Sequence, residues 1–320
     1  MSETILITWT SGFIWFHLAK RLLEEWRNII WFDNENDYYD VNLKVARRNI
    51  LEKYNNFKFY KWSLENLEDL KKVFEENKID KVCNLAAQAG VTYSYKNPYT
   101  YIQSNIVGFH NLIDIAKNNS VKNFVYASTW SVYWNNKKDP AEVEDKCESP
   151  LSIYGASKKT NELIAHSYSS MYWIQTIWLR FFNVVWSRGR PDSALFIFTK
   201  NILEWKTIEI RNHGKMRRNN TYVWDIVDGI IKSLDFVSNE KYNIFNLWNE
   251  NKVELMYFVE QIEKSLWIES KKEFVDMLPW EPAVTSVDSS ETRKILWWRT
   301  TKEIEDVIEE FVDWYKEYKW

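Results

Sequence analysis

Ile5-Leu6-Ile7-Thr8-Trp9-Thr10-Ser11-Gly12-Phe13-Ile14-Trp15 joins a short apolar run to a pattern with apolar residues at helical spacing as far as Glu25. Ile5 to Thr8 reads as a buried strand. With glycine at 9 and 15 the junction would read TGxxGFIG, the strand-to-helix loop that receives a pyrophosphate. Its glycines make the tight turn, let the backbone approach the ligand and pack the helix on the strand. An indole does none of these things. Asp33 closes a second strand, Asn28 to Asp33, 18 residues after position 15, where a carboxylate takes the ribose 2′-OH and favours NAD over NADP. Taken alone, the loop as written is also compatible with a plain strand-to-helix turn.

Working outward, Phe57–Lys61, Lys81–Leu85 and Lys122–Ala127 are further strand candidates, separated by helical stretches at Leu67–Asn77 and Tyr101–Asn118. Such alternation predicts an α/β, Rossmann-type doubly wound parallel sheet. After about residue 180 the alternation loosens, which places a dinucleotide-binding domain with the catalytic residues at 1–180 and a smaller α/β substrate lobe at 181–320. Thr300-x-x-Glu303 reads as a capping box for a last amphipathic helix that packs back on the body.

The 320 residues carry 42 Lys+Arg against 45 Asp+Glu, a balance that argues against nucleic acid or an anionic membrane as the main partner. Cys83 and Cys147 cannot build a disulfide framework, and the four histidines lack metal-ligand spacing, so no metal is expected. No apolar run reaches membrane-span length and no signal-peptide pattern precedes the first strand, so a cytoplasmic protein is expected. One pair of counts is anomalous: 19 Trp against 7 Gly, where glycine averages about 7% of residues.

Tyr154-x-x-x-Lys158 puts a phenol and an ammonium one turn apart on a helix. Free tyrosine titrates near pH ~10, so service as a base near neutrality requires nearby cations. Lys158 is one. Ser128-Thr129, at the end of a strand upstream, offers a hydroxyl to the same substrate oxygen.

Loop, acid, hydroxyl and YxxxK in this order resemble the extended short-chain dehydrogenase/reductase family, and within it the UDP-glucuronate 4-epimerases, along almost the whole chain. Three segments carry the finer likeness: Asn36-Asp37-Tyr38-Tyr39-Asp40, Ala87-Gln88-Ala89-Gly90-Val91 and Asn212-His213-Gly214-Lys215-Met216-Arg217-Arg218. The resemblance implies bound NAD, a UDP-sugar substrate and a homodimer. It implies that Tyr154 takes the proton of the sugar 4-OH as the C4 hydride leaves, with Thr129 on the C4 oxygen and Lys158 on the nicotinamide ribose. Cofactor contacts are implied at Trp9, Gly12, Phe13, Ile14, Trp15, Asp33, Asn34, Ser63, Leu64, Leu85, Ala86, Ala87, Asn105 and Phe181, besides Tyr154 and Lys158. Substrate contacts are implied at Gln88, Thr92, Thr129, Asn183, Arg190 and Arg218. Trp130 and Ser131 follow Thr129, where relatives that eliminate water or carbon dioxide carry acids. Neither is acidic.

The family pattern has glycine at positions 9, 15, 26, 31, 62, 134, 173, 178, 186, 205, 248, 267, 280 and 297, where this chain has Trp; 130 and 224 are less clear. Restoring the fourteen takes glycine from 7 to 21. A source that reads UGA as glycine, translated here with UGA as tryptophan, accounts for both counts. Other departures are Thr92 for Arg, Ser63 for Asp, Asn219-Asn220 for Asp-Phe and Val185-Trp186-Ser187 for Tyr-Gly-Pro. They leave two alternatives open: a UDP-glucose 4-epimerase, or, with the tryptophans real, a non-catalytic dinucleotide-binding scaffold.

Overall fold

The computed structural model describes residues 3–8, 12–38, 40–135, 138–181, 183–278 and 283–319. They form two compact units: one of 1–137, 143–181 and 227–247, the other of 138–142, 182–226 and 248–320. Chain order and unit therefore part company at 138–142 and at 227–247.

The first unit is built on seven parallel strands, β1 (Thr4–Thr8), β2 (Asn28–Phe32), β3 (Phe57–Tyr60), β4 (Lys81–Asn84), β5 (Asn123–Ala127), β6 (Gln175–Phe181) and β7 (Tyr242–Leu247). They lie in the order β3-β2-β1-β4-β5-β6-β7. This is the doubly wound sheet, with the strand order reversing between β1 and β4. Helices run between the strands: α1 (Phe13–Glu24), α2 (Val41–Leu51), α3 (Leu67–Glu76), the short α4 (Val91–Lys96), α5 (Gly108–Asn118) and α6 (Ile153–Tyr172). Leu6, Ile30, Phe32, Val82, Phe124 and Tyr126 alternate onto one sheet face and join Leu70, Val73, Leu112, Ile113 and Ala165 from α3, α5 and α6 in one core. Burial on both faces explains why the inner strands β1 and β5 read as continuous apolar runs, whereas β3, with Lys58 exposed, alternates.

The helix expected over Tyr101–Asn118 is composite. Pro98–Tyr101 runs into a π-helical turn, Ile102–Val107, before α5. Such widened turns bring a side chain inward where regular pitch would not, and here that side chain is Asn105, fully buried.

In the second unit α7 (Ala194–Leu203), α9 (Leu255–Leu266), α10 (Ser290–Leu296) and α11 (Ile304–Lys319) accompany two-stranded sheets, among them Ile208–Arg211 with Lys272–Val275. Helix α8 (Val223–Asp235) opens in this unit and ends in the first. The Thr300–Glu303 capping box does not form. Helix α11 starts at Ile304, and Glu303 instead accepts from Asn251 Nδ2 at 3.1 Å while Thr301 Oγ1 donates to Asp225 at 2.6 Å. Tertiary partners outbid the local cap.

Five helices end on a tryptophan in the left-handed region: Trp26 (φ 61°), Trp173 (59°), Trp205 (56°), Trp267 (59°) and Trp297 (52°). All five side chains stand in solvent, from 67% exposed at Trp205 to 91% at Trp267. Trp26 N–H bonds Leu23 O and Arg27 N–H bonds Leu22 O, and Trp205 and Lys206 repeat the pair on Ile202 and Asn201. That is the helix-ending bond pattern in which glycine is favoured, because a Cβ collides with the following carbonyl. Trp31 and Trp178, in contrast, are buried in β2 and β6 with their indole N–H groups lacking a partner among the described residues. Glycine at any of the five exposed positions is expected to raise stability by about 1 kcal/mol, and well-separated sites should add. Trp298→Gly, which empties a buried site and removes the 2.6 Å bond to Asp225 O, should cost on the order of 3–5 kcal/mol. Urea unfolding of the variants checks both; unchanged or lower midpoints for the five would refute the strain.

Candidate active site

Tyr154 and Lys158 lie in the first two turns of α6, whose start is fixed by Ser152 Oγ accepting from Gly155 N–H at 3.0 Å. A Cβ on Gly155 would sit 2.8 Å from the carbonyl oxygen of Ser131, so glycine lets the helix approach the segment after β5. That segment begins with Thr129, buried, whose Oγ1 accepts from Ser131 N–H at 3.2 Å and caps a short 3-10 turn, Trp130–Tyr133. One turn on, Lys158 Nζ donates to Ala127 O at 2.8 Å, at the end of β5. Burial pushes the Lys158 ammonium down to about 7, against the pull of Glu162. The Tyr154 ring packs edge-on to Tyr101, 6.1 Å between centroids.

Behind this pair is a polar network that the sequence did not point to. Glu162 is wholly buried and takes Arg180 Nε at 3.0 Å and Nη2 at 2.9 Å. Ser128 Oγ donates to the same carboxylate at 2.5 Å. Arg180 Nη1 reaches Tyr133 OH at 2.6 Å, which donates to Asn246 on β7 at 3.0 Å. Asn105 is a strut: its amide takes Gln88 N–H at 2.6 Å and donates to Gln88 O and to Ser157 Oγ on α6.

On the β1–β4 side, Thr8 Oγ1 donates to Asn84 Oδ1 at 2.7 Å and accepts from the N–H groups of Leu85 and Ala86. The strand ends at the topological switch are thereby tied together. Gly12 precedes α1 in extended conformation with no side-chain cap, so the amides of Phe13, Ile14 and Trp15 open the helix; Trp9 lies outside the described residues. Asp33, buried at the end of β2, accepts from Glu35 N–H at 2.6 Å, and Asn34 accepts from Asn36 N–H. A shallow recess is lined by Asp33, Asn34, Ser63, Leu64, Ala86, Ala87 and Gln88 together with Glu65 and Ser104. The side-chain Nε2 of Gln88, buried on that wall, has no partner among the described residues. A carboxylate and asparagine at the ribose position, an apolar wall and an unmet amide fit the adenosine half of a dinucleotide. Phe181 ends β6, half-buried.

The NDYYD segment has structural work: Asp40 caps α2 through Asn42 N–H, and buried Lys44 donates to Asn36 O and Oδ1. Tyr38 meets Tyr93, and Tyr93 meets Tyr101, at 5.0 and 6.3 Å. Gly90, at φ 102°, leaves only 3.0 Å between a Cβ and Tyr38 OH. Thr92 is exposed on α4. In the second unit Asn183 takes a left-handed conformation and accepts from Thr221 N–H. Arg190 Nε donates to Asp192 at 2.9 Å, and Arg218 Nη1 donates to the carbonyls of Arg217 and Ala283 at 3.0 Å each. Among the described residues no group of histidine, cysteine, aspartate or glutamate could hold a metal ion, and no helix is long and apolar enough to cross a membrane.

Residues 5–247 match the model of the NAD dependent epimerase/dehydratase family. Protein CapI of Staphylococcus aureus is 42% identical over 98% of this chain and 98% of its own length. A UDP-glucuronate 4-epimerase of Thermodesulfobacterium geofontis is 38% identical over 98% of this chain and 96% of its own. The crystal structure of the UDP-glucuronic acid 4-epimerase from Bacillus cereus, in complex with UDP-glucuronic acid and NAD, superposes with a TM-score of 0.92 at 30% identity, covering 98% of this chain and 99% of that one. The doubly wound sheet, the YxxxK helix and these matches agree: the chain belongs to the NAD dependent epimerase/dehydratase family.

Proposed function

We propose that this chain interconverts UDP-glucuronate and UDP-galacturonate by NAD-dependent 4-epimerisation. The observation that carries the reading is Tyr154 and buried Lys158 on one helix beside the Thr129 turn, with no carboxylate at 130 or 131. Elimination chemistry needs an acid there; epimerisation does not. Similarity to UDP-glucuronate 4-epimerases over nearly the full chain supports the sugar.

NAD, when bound, supplies a two-electron acceptor that can return the hydride of sugar C4 to either face. Gly12 with Phe13, Ile14 and Trp15, then Asp33 and Asn34, Ser63 and Leu64, Leu85 to Ala87, Asn105 and Phe181 would hold it, with position 9 in the same loop. Tyr154 takes and returns the 4-OH proton, with the Lys158 cation favouring its phenolate. Thr129 hydrogen-bonds the C4 oxygen. Gln88, Thr92, Asn183, Arg190 and Arg218 serve the UDP-sugar; an arginine fork suits a diphosphate, and Arg190 would have to exchange Asp192 for it. On this reading 1–180 is the cofactor domain and 181–320 the substrate lobe. We further infer a cytoplasmic homodimer serving surface polysaccharide synthesis. Exposed Leu163, Met171 and Tyr172 on α6, with Tyr99 and Ile102 on the preceding helical run, support the dimer. We also propose glycine at 9 and 15 in the natural protein, encoded by UGA. Five tryptophans in glycine-type helix ends support it.

Incubation with each sugar nucleotide, followed by NMR of the C4 epimer, is expected to show turnover of UDP-glucuronate; turnover of UDP-glucose alone would replace the substrate. Lys158→Met should lower kcat by about 10²-fold or more. The same variant tests the buried charge. Between about 7 and the ordinary lysine value of 10.5 the unfolded chain holds a proton that the folded chain has released, so stability rises with pH through that window. Denaturation of the cofactor-free protein should show the rise, a difference on the order of a few kcal/mol, and Lys158→Met should lack it. Native mass spectrometry of the protein from its source should give a dimer whose subunit carries glycine at 9 and 15; tryptophan there, or a monomer, rejects the respective proposal.

A further inference from the structure

We propose that Glu65 reads the adenine ring of the bound dinucleotide by accepting a hydrogen bond from its 6-amino group, an inference that rests on the reading of the chain as an NAD enzyme. The family resemblance implies a cofactor contact at Ser63, not at Glu65. In the folded chain the Ser63 hydroxyl does not face the recess alone but donates to the Glu65 carboxylate. Ser104 Oγ, from the π-helical turn, donates to the other carboxylate oxygen at 2.6 Å. Asn111 Nδ2 meanwhile holds the backbone, donating to Leu64 O at 3.1 Å and to Glu65 O at 3.2 Å. Side chain and backbone are thus both pinned on the wall that also carries Asp33.

An ionised carboxylate offers about four acceptor sites and no donor. Two are taken by the serines, and the remainder have no donor from these residues. Asp33 is positioned for the ribose, so the base of the same nucleoside falls within this recess. The C6 edge of adenine presents an amino donor; hypoxanthine and guanine present a carbonyl there. A fixed acceptor-only group therefore selects adenine and repels the other two. Preorganisation by Ser63, Ser104 and Asn111 means that little ordering is left for the moment of binding.

The test compares NAD with nicotinamide hypoxanthine dinucleotide, which differs at that amino group, by calorimetric binding to protein freed of cofactor. The native chain is expected to prefer NAD by about tenfold or more, as a hydrogen bond to a charged group implies. Glu65→Gln, whose amide can donate as well as accept, should bring the two affinities within about threefold. Ser104→Ala, which loosens the carboxylate without removing it, should give an intermediate ratio. A Glu65→Gln protein that keeps the native ratio, or loses affinity equally for both, overturns the inference while leaving the NAD reading intact. Failure of the native protein to bind either dinucleotide overturns both.

Discussion

The buried pair between Glu162 and Arg180 sets the geometry of the helix that carries Tyr154 and Lys158. Removing two charges from water is costly, and a pair of this kind persists only where the remaining bonding capacity is met. Here it is met by Ser128 and Lys159 on the carboxylate and by Tyr133 and the Val143 carbonyl on the guanidinium. Losing either partner would strand a buried charge at a cost of about 3–5 kcal/mol. Helix α6 therefore meets the end of β5 at three successive levels: Gly155 against the Ser131 carbonyl, Lys158 on the Ala127 carbonyl, Glu162 on the Ser128 hydroxyl. Thr129 lies inside that span. Its position relative to Tyr154 follows from contacts made by the residues around them.

What could be read from the amino-acid order was what local spacing encodes. The first five strands and helices α1, α3 and α5 follow from apolar runs and helical spacing, and Tyr154 and Lys158 from a four-residue interval; α2 and α4 do not. The Glu162–Arg180 pair could not be read, because an acid and a base eighteen residues apart have no preferred partner until β6 is laid beside β5. The resemblance implies a cofactor contact at Asn105, yet its amide is bonded to Gln88 and Ser157 through a π-turn that no apolar periodicity announces. Thr300 and Glu303 have the spacing of a cap, but in the folded chain Glu303 accepts from Asn251 and the neighbouring Thr301 donates to Asp225.

The tryptophans separate backbone demand from side-chain identity. A helix that must turn away at its C-terminus places its last carbonyls against the next two amides, and this fixes a left-handed residue at that point whatever its side chain. The five exposed tryptophans occupy such points. At about 1–2 kcal/mol for each left-handed side chain, the total is comparable with the 5–15 kcal/mol by which a domain is ordinarily stable. Trp31 and Trp178 add a different cost, two indole N–H groups buried without partners among the described residues. A turn can be recognised in a sequence only when the residue chosen for it is the one the turn favours.

The two edges of the seven-stranded sheet are stabilised unequally. At the N-terminal edge, Asp235 takes Arg27 at 2.6 Å and Lys81 at 2.8 Å, Lys81 also meets Glu3 at 2.9 Å, and the two cations hold the Asp235 carboxyl down at about 2. Charges there find their complements within the chain. At the C-terminal edge the Lys158 ammonium is buried with a lowered proton affinity, the Gln88 amide has an unmet donor, and Glu65 keeps acceptor capacity. The two buried groups are a cost in the free protein that a partner of complementary chemistry would remove. A ligand that meets several of them at once binds the folded chain and not the unfolded one, and so adds to stability by mass action. The edge left incompletely satisfied is the one at which open α/β sheets bind their ligands, so the same unmet groups that weaken the free fold define where and by what chemistry it is completed.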